Sequence, residues 1–256
     1  MKISTNKLCF KYKKQQAAEV ISNVDLELKE NSINVILGLN GSGKTTLLKL
    51  LAGLLKPNSG DIFYGDNNLK NIKIKQRSKI FSYVPQHADL SADIKISDYL
   101  SFGLVNNLAF YQTPSKEMLE KVNKITEDLK ITNLLSKNLG EISGGEKQKV
   151  LIAAALIQDT PVIILDEPTS ALDLKNQNMV LSLLKEIRKI GKTILLSVHN
   201  PNHALFLDAN VILIKQGKVP KSGCAKSIVK IEILKEIYGS SLCKSSELDY
   251  EEISFK

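Results

Sequence analysis

The sequence predicts an α/β protein built on a largely parallel sheet, and three observations carry that expectation. Continuous apolar runs of strand length, Ile33–Leu37, Val162–Leu165, Thr193–Val198 and Val211–Ile214, read as strands buried on both faces. Helical stretches alternate with them, which requires crossover connections and therefore parallel pairing. A glycine-rich loop, Gly38 to Gly43, joins the first such strand to a helix.

The elements follow in order. Residues 3–37 alternate short β-type runs with turn signals, the last run ending at Gly38. Residues 44–55 read as a helix, Lys56 to Gly60 as a turn, and Asp61–Tyr64 as a returning strand. Residues 112–158 look helical. There Thr113 is placed to cap with Pro114 at the first helical position, and Met118, Val122, Ile125 and Leu129 form one apolar stripe. Pro161 ends that region ahead of the strand from Val162. A helix over 174–190 is stopped by Gly191, and the strands 193–198 and 211–214 are separated by a short helix starting at Asn200-Pro201. No internal repeat or low-complexity tract appears.

Composition excludes several classes. The chain has 256 residues, with 43% apolar and 24% charged residues, ordinary for a globular protein. Its longest apolar runs, such as Val150–Ile157, fall far short of the ~20 residues that span a bilayer. The start, MKISTNKLCFKYKK, carries no apolar leader segment. Lysine plus arginine is 35 against 27 acidic residues, a net charge of +8. Only Arg77 and Arg188 are arginines, the residue that reads base edges and grips phosphate with paired bonds, so nucleic acid is not the expected partner. A lysine-rich exterior suits solubility or an anionic lipid surface. Cys9, Cys224 and Cys243 lack metal-ligand spacing and read as thiols of a reducing compartment.

Three motifs carry chemistry. Gly38-Leu39-Asn40-Gly41-Ser42-Gly43-Lys44-Thr45-Thr46 fits the P-loop pattern between strand and helix. Its glycines let successive amides of residues 39–46 point at a phosphate, and the helix aims its positive end at the same anion. Lys44 would neutralise β/γ-phosphates and the Thr45 hydroxyl would hold Mg²⁺. The second motif, Val162 to Pro168, places Asp166 and Glu167 at the C-terminal end of a central strand, where α/β folds bind ligands. Asp166 can reach Mg²⁺, and Glu167 can accept a proton from water attacking the γ-phosphate. The third, Ser143-Gly144-Gly145-Glu146, is both an anion cradle and a helix capping box in which Glu146 folds back onto Ser143. His199 and His203 are four apart, a helical metal spacing, but Pro201 intervenes and no third ligand is near, so His199 is read as lying outside a helix that starts at Pro201.

With Gln86 in Tyr83-Val84-Pro85-Gln86, the run Ser170 to Asp173, and His199, these motifs resemble, in fixed order from about residue 3 to 240, the nucleotide-binding subunit of an ATP-binding cassette (ABC) transporter. The resemblance implies a P-loop NTPase fold, with a RecA-like core (1–86 and 159–256), an N-terminal antiparallel β region and an inserted helical subdomain (87–158). It implies ATP and Mg²⁺ as cofactors, with Thr45, Gln86 and Asp166 toward the metal. Glu167 and His199 would be catalytic, with His199 on the γ-phosphate and Tyr12 stacked on adenine. Two copies would pair head to tail, so that Ser143, Gly144, Gly145 and Glu146 of one reach the nucleotide of the other and Asp173 lies at the interface. Gln86 would also sense a membrane permease. Ile142 and Glu146 depart from the commonest family pattern, and the capping box gives the Glu146 charge somewhere to turn.

Asp98-Tyr99-Leu100 with Gly103, His199 to Leu205, and Ile237-Tyr238-Gly239 are similar to importers of iron chelates, haem and cobalamin. Such importers work with two permease copies and a substrate-binding protein, the cassette lying peripherally on the cytoplasmic face of the membrane. An exporter subunit, or a soluble ABC ATPase without a transport role, is the alternative. The length reads as a single cassette, with no regulatory domain after residue 240.

Overall fold

The computed structural model describes residues 2–12, 19–86, 88, 92–104, 113–239, 242–245 and 252–255. Its elements run β1 (Ile3–Phe10), β2 (Ile21–Leu28), β3 (Ile33–Leu37), α1 (Lys44–Leu51), β4 (Ser59–Tyr64), β5 (Asn67–Asn68), α2 (Ile74–Arg77), β6 (Phe81–Val84), α3 (Ile96–Phe102), α4 (Lys116–Asp128) and α5 (Gly144–Ile157). They continue with β7 (Val162–Asp166), α6 (Leu174–Lys189), β8 (Thr193–Val198), α7 (Pro201–Phe206), β9 (Asn210–Lys215), β10 (Lys218–Cys224), α8 (Ala225–Ile228), α9 (Ile231–Tyr238), β11 (Leu242–Ser245) and β12 (Glu252–Phe255).

The expected parallel sheet is present. Strands β9, β3, β8, β7 and β6 pair parallel in that order, and β10 adds an antiparallel edge to β9. Strands β3, β7 and β8 are buried throughout because both faces are covered, which is why they read as unbroken apolar runs. Alternate residues feed two cores. Ile33, Val35, Leu37, Ile163, Leu165, Ile194 and Leu196 join α5, α6 and α9 on one side. Ile36, Ile164 and Leu195 face α1 and the antiparallel sheet β2-β1-β4-β5 on the other.

The helical region resolves differently from a single run over 112–158. α4 and α5 are separated by 3₁₀ turns at Thr132–Leu134 and Leu139–Glu141, and Lys130, in the left-handed region, ends α4. Thr113 and Pro114 lie outside the helix. Ser115 is the cap, its hydroxyl accepting the Met118 amide at 3.2 Å, because a serine two residues nearer the apolar stripe satisfies that orphan donor directly. The stripe is as expected, with Leu129 buried and Met118, Val122 and Ile125 packed against the core. α5 is buried over almost its whole circumference and packs on α3, α4 and β6. α1 stops at Leu51, shorter than 44–55, since Gly53 turns the chain at φ 70°. α7 begins at Pro201 with Asn200 as cap, leaving His199 outside, as the sequence indicates. Among the described residues no helix is long and apolar enough to cross a membrane. Cys9 and Cys224 are free thiols, and the side chain of Cys243 lies outside the described residues.

Candidate functional site

The loop between β3 and α1 folds as a phosphate cradle. Gly43 is the residue before the helix, at φ 107°, where an L side chain is strained, and no side chain caps α1, so its first amides are left without a side-chain partner. Gly38 passes so close to β9 that a β-carbon would run into the Ile214 carbonyl. Above the loop lies a cavity of about 430 Å³, lined by Asn40, Gly41, Gly43, Lys44, Thr45 and Thr46 from the loop and helix, and by Val20, Gln86, Glu167 and His199. The Lys44 ammonium is buried and donates to the carbonyls of Gly38 at 2.9 Å and Leu39 at 3.2 Å. Burial pulls its pKa below the ordinary lysine value, opposed by the Glu167 carboxylate, whose Oε1 lies 3.6 Å away.

Glu167 is the point on which the site converges. Gln86 Nε2 donates to its Oε2 at 2.6 Å, and His199 Nε2 lies 2.6 Å from the same oxygen. These residues come from three separate strand ends, β6, β7 and β8, which the parallel register brings to one edge of the sheet. Glu167 also occupies the left-handed region, at φ 50°. Its neighbour Asp166 is 1% exposed, and both of its oxygens are engaged, Oδ1 by the Ser197 hydroxyl at 2.7 Å and Oδ2 by the Tyr83 hydroxyl at 3.4 Å. Burial and then the Asp166 charge push the Tyr83 phenol well above the usual range.

Other sequence-predicted residues take different places. Ser42, within the loop, has a buried hydroxyl with no hydrogen-bond partner among the described residues. Tyr12 is at the rim, its hydroxyl 3.3 Å from Thr46 Oγ1 and its ring edge-on to Phe10 at 4.8 Å. Ser143, Gly144, Gly145 and Glu146 do not line the cavity. They begin α5 as a capping box, with Glu146 Oε2 accepting the Ser143 amide at 2.8 Å and the Ser143 hydroxyl at 2.9 Å. Those Ser143 bonds hold the Glu146 carboxyl below its ordinary pKa. Asp173 caps α6 through the Asn176 amide at 2.7 Å. Among the described residues no group of three or more His, Cys, Asp or Glu is set to hold a metal, and His203 is half-buried on α7, with burial lowering its pKa.

Two residues outside the three chemistry-bearing motifs also stand at the site. Ser197 is a buried hydroxyl near the end of the apolar run of β8, in register with Asp166. The buried Tyr238 phenol, at the end of α9, faces the backbone amide of Gly38 and is pushed up to about 12 by burial.

A strand–loop–helix phosphate cradle, with a buried lysine and an acidic strand end facing it, defines a P-loop nucleotide-hydrolysing protein. The ABC transporter family model matches residues 21–170. An uncharacterized ABC transporter ATP-binding protein of Haemophilus influenzae is 35% identical over 94% of this chain and 90% of its own length. The ferric enterobactin transport ATP-binding protein of Escherichia coli K12 is 31% identical over 86% of this chain and 82% of its own. Among solved structures, an inward-facing transporter described as of metal-chelate type superposes with TM-score 0.80 at 26% identity, covering 99% of this chain and 97% of that one. A dimeric ATP-binding cassette bound to ADP and Pi superposes with TM-score 0.79 at 26% identity, covering 87% and 98%. The chain belongs to the ABC transporter family, and it is an ATP-binding, ATP-hydrolysing subunit of that class.

Proposed function

We propose that this chain powers a binding-protein-dependent importer for an iron chelate, haem or cobalamin, working as a head-to-tail pair beneath two permease copies on the cytoplasmic face of the membrane. The convergence of Gln86, His199 and Lys44 on Glu167 at the mouth of the phosphate cradle carries the chemical part of this reading. The transport part is supported by the relatives named for ferric enterobactin and iron chelatin transport, the latter from Helicobacter pylori at 33% identity over 86% of both chains.

The loop amides and Lys44 bind the β- and γ-phosphates, and the Lys44 charge offsets theirs. Tyr12 offers its ring to the adenine. The Thr45 hydroxyl, the Gln86 amide oxygen and the Asp166 carboxylate are oxygen donors of the type a hard cation takes, and they would hold Mg²⁺. When bound, Mg²⁺ supplies charge neutralisation on the phosphate oxygens. Glu167 orients the water that attacks the γ-phosphorus and takes its proton, while Gln86 and His199 hold the carboxylate in place. In the paired arrangement Ser143, Gly144 and Gly145 of one copy approach the nucleotide of the other.

The test has two arms. Glu167→Gln should bind Mg·ATP, shift to a dimer on size exclusion and release phosphate at well under a tenth of the wild-type rate, about the scale of losing a general base. Reconstituted with its permease and binding protein in vesicles, the wild-type chain should drive ATP-dependent uptake of a ferric chelate. Outward movement of substrate in that assay would favour an exporter, and ATPase activity indifferent to any permease a soluble role.

A further inference from the structure

Glu167 stands in a backbone conformation that side chains with a β-carbon resist, and something must hold it there. Its carbonyl accepts the Ser170 amide at 3.2 Å and the Ser170 hydroxyl at 3.0 Å. Its amide donates to the Ser197 hydroxyl at 2.9 Å. Ser197 lies on β8 directly opposite Asp166 on β7 and is fully buried. The same hydroxyl donates to Asp166 Oδ1 at 2.7 Å. A serine hydroxyl has one proton to give and lone pairs to accept with, so both bonds form at once.

We propose that Ser197 is a positioning residue for hydrolysis: one hydroxyl fixes the rotamer of Asp166 and the left-handed turn of Glu167, and so sets where the Glu167 carboxylate stands over the phosphate cradle. The inference rests on the reading of Glu167 as the group that handles the attacking water. The geometry makes the link directional. If φ at Glu167 relaxed to a negative value, its side chain would leave Gln86 and His199, which meet its Oε2, and Lys44, beside its Oε1. If Asp166 turned, it would release Ser197 and then the Glu167 amide. No other side chain among the described residues bonds both acidic residues of the strand end. The Ser197 hydroxyl bonds Asp166 and the Glu167 amide, not the loop amides or Lys44 that meet the phosphates, so ATP binding without the metal should be largely kept.

The test separates binding from turnover. Ser197→Ala should lower kcat for phosphate release about tenfold or more, as small misplacements of reacting groups do, while the Kd for ATP, measured by calorimetry without Mg²⁺ so that Asp166 is not called on, stays within about threefold. Ser197→Thr keeps the hydroxyl in a residue that suits a strand and should hold kcat within about threefold of wild type. If Ser197→Ala does not bind ATP at one site per chain, Ser197→Cys, of similar volume but a weak donor, takes its place with the same expected split. Wild-type kcat in the variant lacking the hydroxyl, or a threonine variant as slow as the alanine one, overturns the proposal. Glu167→Gln in the same assay distinguishes the two layers. If it hydrolyses ATP normally, the reading of Glu167 fails. If it is inactive while Ser197→Ala is normal, only the role of Ser197 fails.

Discussion

His199 Nε2 lies 2.6 Å from Glu167 Oε2, although the two residues sit at the ends of different strands, β8 and β7. Gln86 reaches the same oxygen, so His199→Ala leaves the carboxylate with one partner there instead of two. The imidazole is nearly half exposed and supports no buried layer, so its removal should leave the melting temperature within a few degrees, as for other surface changes. Phosphate release should fall about tenfold to a hundredfold, with ATP affinity reduced much less, because the lost contact orients a reacting group. Parallel measurement of kcat and of the ATP Kd checks this, and an equal loss in both would place His199 on the ground-state nucleotide instead.

Lys44 poses a different case, because it is buried among carbonyls as well as beside Glu167. Lys44→Ala removes the one ammonium that lines the cavity among the described residues. ATP binding should weaken at least tenfold, about the worth of a charge-assisted bond to phosphate, while the Glu167 carboxylate keeps Gln86 and His199. Lys44→Arg should not rescue it, because a planar fork does not fit where an ammonium meets two carbonyls and a carboxylate. Titration with a fluorescent ATP analogue reads both variants.

The parts of the site legible in the sequence are those where local chemistry repeats along the chain. Glycine spacing around Lys44, the apolar run before Asp166, and Asn200-Pro201 ahead of α7 each specify local geometry within a few residues, and the structure has them. The Ser143–Glu146 capping box is legible for the same reason. The cap falls on Ser115, two residues past Thr113, because its hydroxyl is in reach of the Met118 amide. Ser197 and the Tyr238–Gly38 contact were not legible as parts of the site, since each depends on register or packing between elements far apart in sequence. The available signal for Ser197 was a hydroxyl after the apolar Ile194–Leu196 run, which a buried strand keeps only where the hydroxyl has a partner.

Glu146 carries a negative charge at the start of α5, where it satisfies the Ser143 amide and hydroxyl and complements the positive end of the helix. Glu146→Gln keeps the capping geometry and loses only the charge. Stability should drop by about 0.3–1 kcal/mol, the usual worth of an acidic first-turn residue, and ATPase activity should stay within about threefold. A steady-state assay together with a urea melt checks both, and a large change in activity at unchanged stability would mean that the carboxylate acts on the nucleotide itself.

Asp159 links two parts of the fold. Its carboxylate pairs with Lys121 on α4 at 2.5 Å and with Lys192, just before β8, at 2.7 Å. Burial alone would raise its pKa, but the bonds from the two ammonium groups outweigh it and hold the carboxyl below the ordinary aspartate value. A depressed carboxylate adds stability that is fully present above the unfolded pKa and is lost as pH falls through the folded one. The residue sits at φ 56°, a conformation asparagine tolerates, so Asp159→Asn tests charge without disturbing the backbone. The groups are partly exposed, so the variant should lose about 0.5–1 kcal/mol at neutral pH, with the deficit shrinking in high salt. The wild-type and variant urea curves should converge once the pH drops below the depressed pKa of the folded carboxyl, because that group is then protonated and neither chain has a charge to pair. Curves that stay apart in acid would assign the effect to hydrogen-bond geometry instead of charge.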